Sequence, residues 1–254
     1  MALFNDGPAS GIADLQGHDS QLLDVAHVEG IDVTRKLALA QEELALELTT
    51  LLARLNQSTE FGVTAGGPGL AQVVVTPPLK LWHTFRTLEL VYRDAYHSQL
   101  NDRYAGKRDE YHELAKWAYE KLIQSGIGIA QDPIPQAEAP TLAPAAGTLP
   151  DGKYYAAAAW TNRAGEEGAA SVAAAITTTA STFTARPSIA PANAQGWNVY
   201  VGVSPTSLVL QNASPMGVGQ VWTQTSGLVT TGKLAPAGQA ANYMRQAPRI
   251  LQRG

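Results

Sequence analysis

The sequence predicts an α+β chain of more than one domain, an N-terminal bundle of three or four helices followed by a small β-sandwich. Three observations predict it. Apolar residues recur at three- and four-residue steps between Asp19 and Gly126, the mark of amphipathic helices. From Pro150 onward the period changes to two, in short runs separated by Gly, Pro and Asn turns. Charge shifts at the same place: residues 1–130 hold 11 Lys and Arg against 17 Asp and Glu, residues 131–254 hold 7 against 5. Such a shift marks a domain boundary. The expected layout is an arm over 1–18, a helical domain over 19–129, a Pro/Ala-rich linker over 130–149, a sandwich over 150–235 and a second arm over 236–254.

In chain order, residues 1–18 are Gly- and Asp-rich and read as an extended arm with at most one turn near Ile12–Gln16. Asp19 can cap a short helix carrying Leu22, Leu23 and Ala26, closed by Gly30. Asp32 caps a longer helix to about Leu55. Its main stripe is Val33, Leu37, Ala40, Leu44, Leu48, Leu51 and Leu55, and Leu39, Leu46 and Ala53 form a weaker second stripe. A helix apolar on two sides is either central in its own bundle or packed against another chain, and the central position is the default. Residues 56–75 form a loop with the breaker cluster Ala65–Gly69, and Val73–Val75 can pair as a short strand.

Thr76 caps the next helix, with Pro77 and Pro78 in its first turn, where no amide donor is needed. A break at Leu100-Asn101-Asp102 separates it from a further helix, capped by Asn101 or Asp102 and ending at Gly126. One long kinked helix is the alternative. Eight aromatics, Trp82, Phe85, Tyr92, Tyr96, Tyr104, Tyr111, Trp117 and Tyr119, lie in this pair. The proline-rich stretch 127–149 reads as a semi-rigid spacer with little helix or sheet of its own. Strands follow over Tyr154–Trp160, Ala169–Thr178, Ser181–Arg186, Trp197–Val203, Leu208–Asn212 and Gln220–Thr225, with a hairpin turn at Asn162–Glu166.

Little in the chain points to catalysis. There are no cysteines, hence no disulfide, thiolate metal site or cysteine nucleophile. The five histidines show no HExxH spacing, so no metal or other cofactor is expected. Neither a GxSxG elbow nor a phosphate-binding GxxxxGK[ST] loop occurs. The helical carboxylates read as solvated faces with basic partners at helix spacing, such as Glu89 with Arg93 and Glu113 with Lys116. The acidic front half argues against a basic nucleic-acid groove. No run approaches the roughly 20 apolar residues of a membrane span, and the N-terminus lacks a secretory pattern, so no membrane role is expected.

The aromatic helices admit two readings. Eight aromatics can fill a small core. Alternatively Trp82, about one hundred degrees around the helix from Leu81, and Trp117, similarly offset from Ala115 and Ala118, face another chain. Trp, Tyr and Arg concentrate at interface centres. The candidate interface residues are therefore Leu39, Leu46, Trp82, Arg86, Arg93, Arg103, Arg108 and Trp117, with Arg245, Arg249 and Arg253 of the C-terminal arm. That arm has no acidic residue and can lie along an acidic partner surface, including a neighbouring copy.

The segments GIDVTRKLALAQEELALELTTLL (Gly30–Leu52), TPPLKLWHTFRTLELVYRDAY (Thr76–Tyr96) and LNDRYAGKRDEYHELAKWAYEKLIQSGIGI (Leu100–Ile129) resemble head-to-tail adaptor proteins of tailed bacteriophages, over about residues 12–130. The resemblance implies a non-enzymatic virion protein, made in the host cytoplasm and sited at the neck. Copies would form a heterologous ring, typically of about twelve. Its partners would be the portal protein and a tail or tail-terminator (nozzle) protein. DNA would pass through the lumen without sequence-specific binding, and an acidic lumen would let it slide. GTLPDGKYYAAAAWTNRAGEEGAAS resembles the late strands, and GWNVYVGVSPTSLVLQ the middle strands, of an immunoglobulin- or fibronectin type III-like module, here in the reverse of the usual order. That implies outward display or surface attachment. Two other classes stay open: a carbohydrate-binding module using Trp160, Trp197 or Trp222, and a hydrolase with a dispersed site. Both arms are expected to order only on assembly.

Overall fold

The computed structural model describes residues 1–57, 67–99, 102–225 and 227–245. The architecture is α+β, with helices first and antiparallel sheets after them. The chain forms two compact units. One is helical and comprises Gly7–Gln131 with the C-terminal stretch from Ala241; the other is the sandwich, Asp132–Ala240 with Met1–Asp6.

The helical unit contains α1 (Ile12–His18), α2 (Leu22–Val28), α3 (Val33–Gln57), α4 (Pro77–Gln99) and α5 (Ala105–Ser125). Local signals set most of the ends. Asp32 Oδ1 accepts the Arg35 amide at 3.1 Å, capping α3 as its sequence predicts. Gly30 takes φ +66°, and the Ile31 amide reaches back to the Ala26 carbonyl at 2.8 Å, closing α2 in a Schellman arrangement. Asp19 Oδ1 accepts the Gln21 amide at the start of α2. Thr76 precedes α4 as expected and its carbonyl accepts the Lys80 amide, but its buried hydroxyl makes no hydrogen bond among the described residues. Of the break between α4 and α5, residues 100 and 101 lie outside the described residues; a 3-10 turn over Asp102–Tyr104 leads directly into α5.

Helix α4 is the central helix, packed against both α3 and α5 and buried on nearly every face between Leu79 and Tyr92. This corrects the expectation for α3. Its main stripe is buried from Val33 to Leu48 but only half-buried at Leu51 and Leu55, where Leu52 turns inward instead; of its second stripe Leu39 is half-buried, and Leu46 and Ala53 are exposed. The first eighteen residues also differ from an extended arm. Ile12–His18 is helical with Leu15 fully buried, and Ala9 donates to Gln41 Oε1 at 3.0 Å. Beyond α5, β1 (Ile127–Ile129) pairs antiparallel with β9 (Asn242–Met244), and Val73 bridges to Ile129.

The sandwich packs two antiparallel sheets. One has the order β2–β5–β8, formed by Thr141–Ala145, Thr182–Arg186 and Trp222–Thr223. The other has the order β4–β3–β6–β7, formed by Ala174–Thr178, Gly152–Thr161, Gly196–Ser204 and Ser207–Leu210. Two hairpins thus lie side by side with their inner strands paired, Ala158 opposite Val199. Trp160, Trp197, Phe183 and Trp222 fill the space between the sheets. Strand β3 is buried on both faces, which explains its run of alanines. Ala156 and Ala158 face the inner core; Ala157 and Ala159 meet Tyr200 and Leu208 on the other side. That outer side is covered by Lys233–Pro236, where the Ala235 amide donates to Leu208 and the Leu210 amide to Lys233.

Two expectations about segments between domains are overturned. The stretch 130–149 is not a spacer. It supplies edge strand β2 and sends Ile134, Ala137 and Leu149 into the sandwich core. Pro144 fits there because an edge strand has one side that needs no donor. Residues 236–245 are not a free arm. Gln239 accepts the Ile134 amide at 2.7 Å and donates to the Asp132 carbonyl, and Ala237 bridges to Ala169. In the single chain, residues 1–18 and 236–245 are therefore already placed; residues 246–254 lie outside the described residues.

Candidate interaction surface

Helices α3 and α5 flank α4 and leave a groove between them, floored at one end by Trp82, Arg86 and Glu89 of α4. Glu43 and Leu46 face His112 and Lys116 at one end, and Leu51 and Leu55 face Tyr119 and Ile123 at the other. The two helices thus run in the same direction. The groove has two hollows, of about 540 and 420 Å³, that share Tyr119 as a wall.

A polar tie crosses the first hollow. Arg86 on α4 donates to Glu43 on α3 (Nε–Oε2 2.5 Å) and to Glu89 (Nη1–Oε2 2.6 Å). His112 Nδ1 of α5 lies 3.1 Å from Glu89 Oε1. Burial disfavours the Arg86 charge, but the hydrogen bonds to Glu43 and Glu89 outweigh it and raise the guanidinium above its ordinary value. Glu89 is thus partnered by Arg86 and His112 rather than by Arg93. These bonds join three helices, and sequence spacing shows only the local one, Arg86 with Glu89.

The sequence-predicted interface residues separate into three groups. Trp82 is core: it packs on Tyr119 with ring centroids 5.0 Å apart, beneath the groove. Its offset from Leu81 misleads because α4 is covered on both sides. Arg86 is occupied by the tie, Arg93 is half-buried on the same helix, and Arg108 lies over the Tyr96 ring and bonds Asp109 at 2.8 Å. Arg103 stacks on Tyr104. The second group is exposed: Leu46 of α3 at 72 % and Trp117 of α5 at 45 %, while Leu39 of α3 is half-buried. Val28 of α2, not anticipated from the sequence, is 70 % exposed. The third group is the C-terminal arginines. Arg245 donates to the Ser125 carbonyl at 2.8 Å, closing the end of α5, while Arg249 and Arg253 lie outside the described residues.

Beneath this surface an aromatic core holds one buried carboxylate. Asp19 Oδ2 accepts from Tyr92 at 2.6 Å and from Tyr111 at 3.1 Å. Burial, together with this carboxylate, pushes both phenols well above their ordinary range. Tyr92 stacks on Tyr111, and Phe85 continues the stack. His83 is fully buried. Its Nε2 donates to the Leu37 carbonyl at 3.1 Å, and its Nδ1 accepts from the Ser10 amide at 3.2 Å. Burial pushes this imidazole down to about 4.

In the sandwich, Glu167 accepts from Tyr200 and Lys233, both at 2.8 Å, and from Asn198. This cluster pins the covering strip to the sheet. Trp160, Trp197 and Trp222 are all buried, which removes the aromatic platform expected for a carbohydrate site. Among the described residues no three His, Asp or Glu side chains converge as a metal ligand set, and no helix is long and apolar enough to cross a membrane. No family model, curated protein or solved structure matches this chain.

Proposed function

We propose that this chain is a structural, non-enzymatic ring protein of a phage neck. Copies assemble head to tail around a DNA channel, between the portal at the capsid vertex and the tail. The observation that carries this reading is the exposure of large apolar side chains on three different helices of one small unit: Val28, Leu46 and Trp117. A heterologous contact needs two unlike faces on each copy, and residues on separate helices can supply them. The resemblance of Gly30–Ile129 to head-to-tail adaptors supplies the assembly type, and the acidic balance of residues 1–130 suits a lumen that must not hold DNA. The sandwich is read as an accessory module for display or attachment.

The test is the native mass of the chain, alone and with a portal protein, for the natural sequence and for Trp117→Glu. A discrete closed oligomer is expected, with Trp117→Glu reducing it to monomer at an unchanged melting temperature. Assembly indifferent to Trp117, or no assembly in either setting, would remove the reading.

A further inference from the structure

On the outer face of the four-stranded sheet, one carboxylate bridges an amine and a carboxamide. Asn198 of β6 pairs with Ala159 and lies two residues before Tyr200, which puts its side chain on that face. Its Nδ2 donates to Glu167 Oε1. The other oxygen, Oε2, holds Lys233 Nζ at 2.8 Å and accepts from the Tyr200 hydroxyl at 2.8 Å. The side chains of Glu167, Asn198 and Tyr200 are buried, whereas that of Lys233 is 55 % exposed. Its four-carbon stem is free to turn.

The Asn198 carboxamide is held in one orientation. Asn212 Oδ1 accepts the Val199 amide at 2.9 Å, which turns the Asn212 NH2 group toward Asn198. Asn212 Nδ2 then donates to Asn198 Oδ1 and to the Ser214 carbonyl, both at 2.7 Å. A donor thus polarises the Asn198 carbonyl, and a carboxylate receives its nitrogen. Both features favour attack at Cγ: charge developing on Oδ1 is stabilised, and the leaving nitrogen has a proton carrier beside it. The amine that can attack sits on that same carrier.

We propose that Lys233 and Asn198 join through an amide between Nζ and Cγ, made by the chain itself with loss of ammonia. Glu167 takes a proton from the Lys233 ammonium, and the freed amine attacks Asn198 Cγ. Asn212 stabilises the negative charge on Oδ1. Glu167 returns its proton to Nδ2, the Cγ–Nδ2 bond breaks and ammonia leaves. The surplus proton on Nζ passes through Glu167 to the ammonia, which departs as ammonium. The step is a transamidation and needs no oxidant or reductant. Its rate comes from holding both reactants on one buried group. The bond fastens the covering strip to β6. All its residues lie in the sandwich unit, so the inference is independent of ring assembly.

The intact mass of the full-length chain is the first readout. It is expected to fall about 17 Da below the sequence mass, one ammonia. Met216 is the only methionine between Asn198 and Lys233. Cyanogen bromide cleavage of the denatured chain should therefore leave the fragments on either side of Met216 joined, and with no cysteine present they cannot be held by a disulfide. Lys233→Arg keeps the charge and is expected to show the full mass and separate fragments. Glu167→Gln keeps both reacting groups and is expected to lower the joined fraction at least about tenfold. A natural chain of full mass would overturn the proposal. So would a lighter chain whose fragments separate, which would place the ammonia loss within one residue. Joining that persists undiminished in Glu167→Gln would overturn it as well, because the carboxylate carries both protons.

Discussion

The backbone amide of Ser10 donates to His83 Nδ1 across 73 positions of sequence, and the other ring nitrogen donates to Leu37. The imidazole thus joins the N-terminal segment, α3 and α4, and it does so only as the neutral ring with its proton on Nε2. Protonation would place a hydrogen on Nδ1, opposite the Ser10 N–H.

Stability of the helical unit should therefore fall in mild acid. The folded value is about 4, against about 6.5 unfolded. The unfolded chain takes up the proton first, so the contribution is complete above pH 6.5 and is lost as pH falls from 6.5 to 4. The loss is roughly 3 kcal/mol. Urea midpoints at pH 7.5 and 4.5 check this, and His83→Gln should flatten that part of the profile.

Removing the buried carboxylate should cost more than removing a surface one. Asp19→Ala leaves the hydroxyls of Tyr92 and Tyr111 without their acceptor, at about 2–4 kcal/mol. Asp24→Ala, on the exposed side of α2, should change stability by less than about 0.5 kcal/mol. Chemical unfolding of the two variants side by side provides the comparison.

Gly126 should not accept a side chain. It takes φ +95°, and a Cβ there would lie 2.8 Å from the Met244 carbonyl oxygen. Gly126→Ala is expected to destabilise the β1–β9 pair by about 1–3 kcal/mol. Faster amide exchange at residues 242–244, with α4 unchanged, would be its signature.

The proline-rich stretch should behave as core. Ile134→Ala removes a side chain packed among the sandwich tryptophans, at about 2–4 kcal/mol. A residue in a solvated spacer would show less than about 0.5 kcal/mol. Thermal melting of the variant separates the two.

Features set by neighbours in sequence could be read directly. The Asp32 cap, the Gly30 and Gly126 stops and the Asn162–Glu166 turn each depend on a few adjacent residues. Features set by distant partners could not. Strand β2 exists because Thr182–Arg186 pairs with it, and the Ile134 amide is satisfied by Gln239, 105 positions away. Nothing in PIPQAEAP announces either. The surface was readable in part. Leu46 and Trp117 stand out by their offset from the buried stripes; Trp82 has the same offset but is buried, because α4 is covered on nearly every face between Leu79 and Tyr92. Arg86 reads from sequence as an interface residue, but its acceptor Glu43 lies on another helix, and only the packing of α3 on α4 brings them together.

Ring assembly requires that copies of this chain close on one another through the exposed helical residues. Sedimentation of the full-length chain, alone and mixed with a portal protein, tests it most directly. A discrete species near twelve copies is expected, and Trp117→Glu should return it to monomer without loss of fold. A chain that stays monomeric in both settings, or an oligomer that ignores Trp117→Glu, would contradict it.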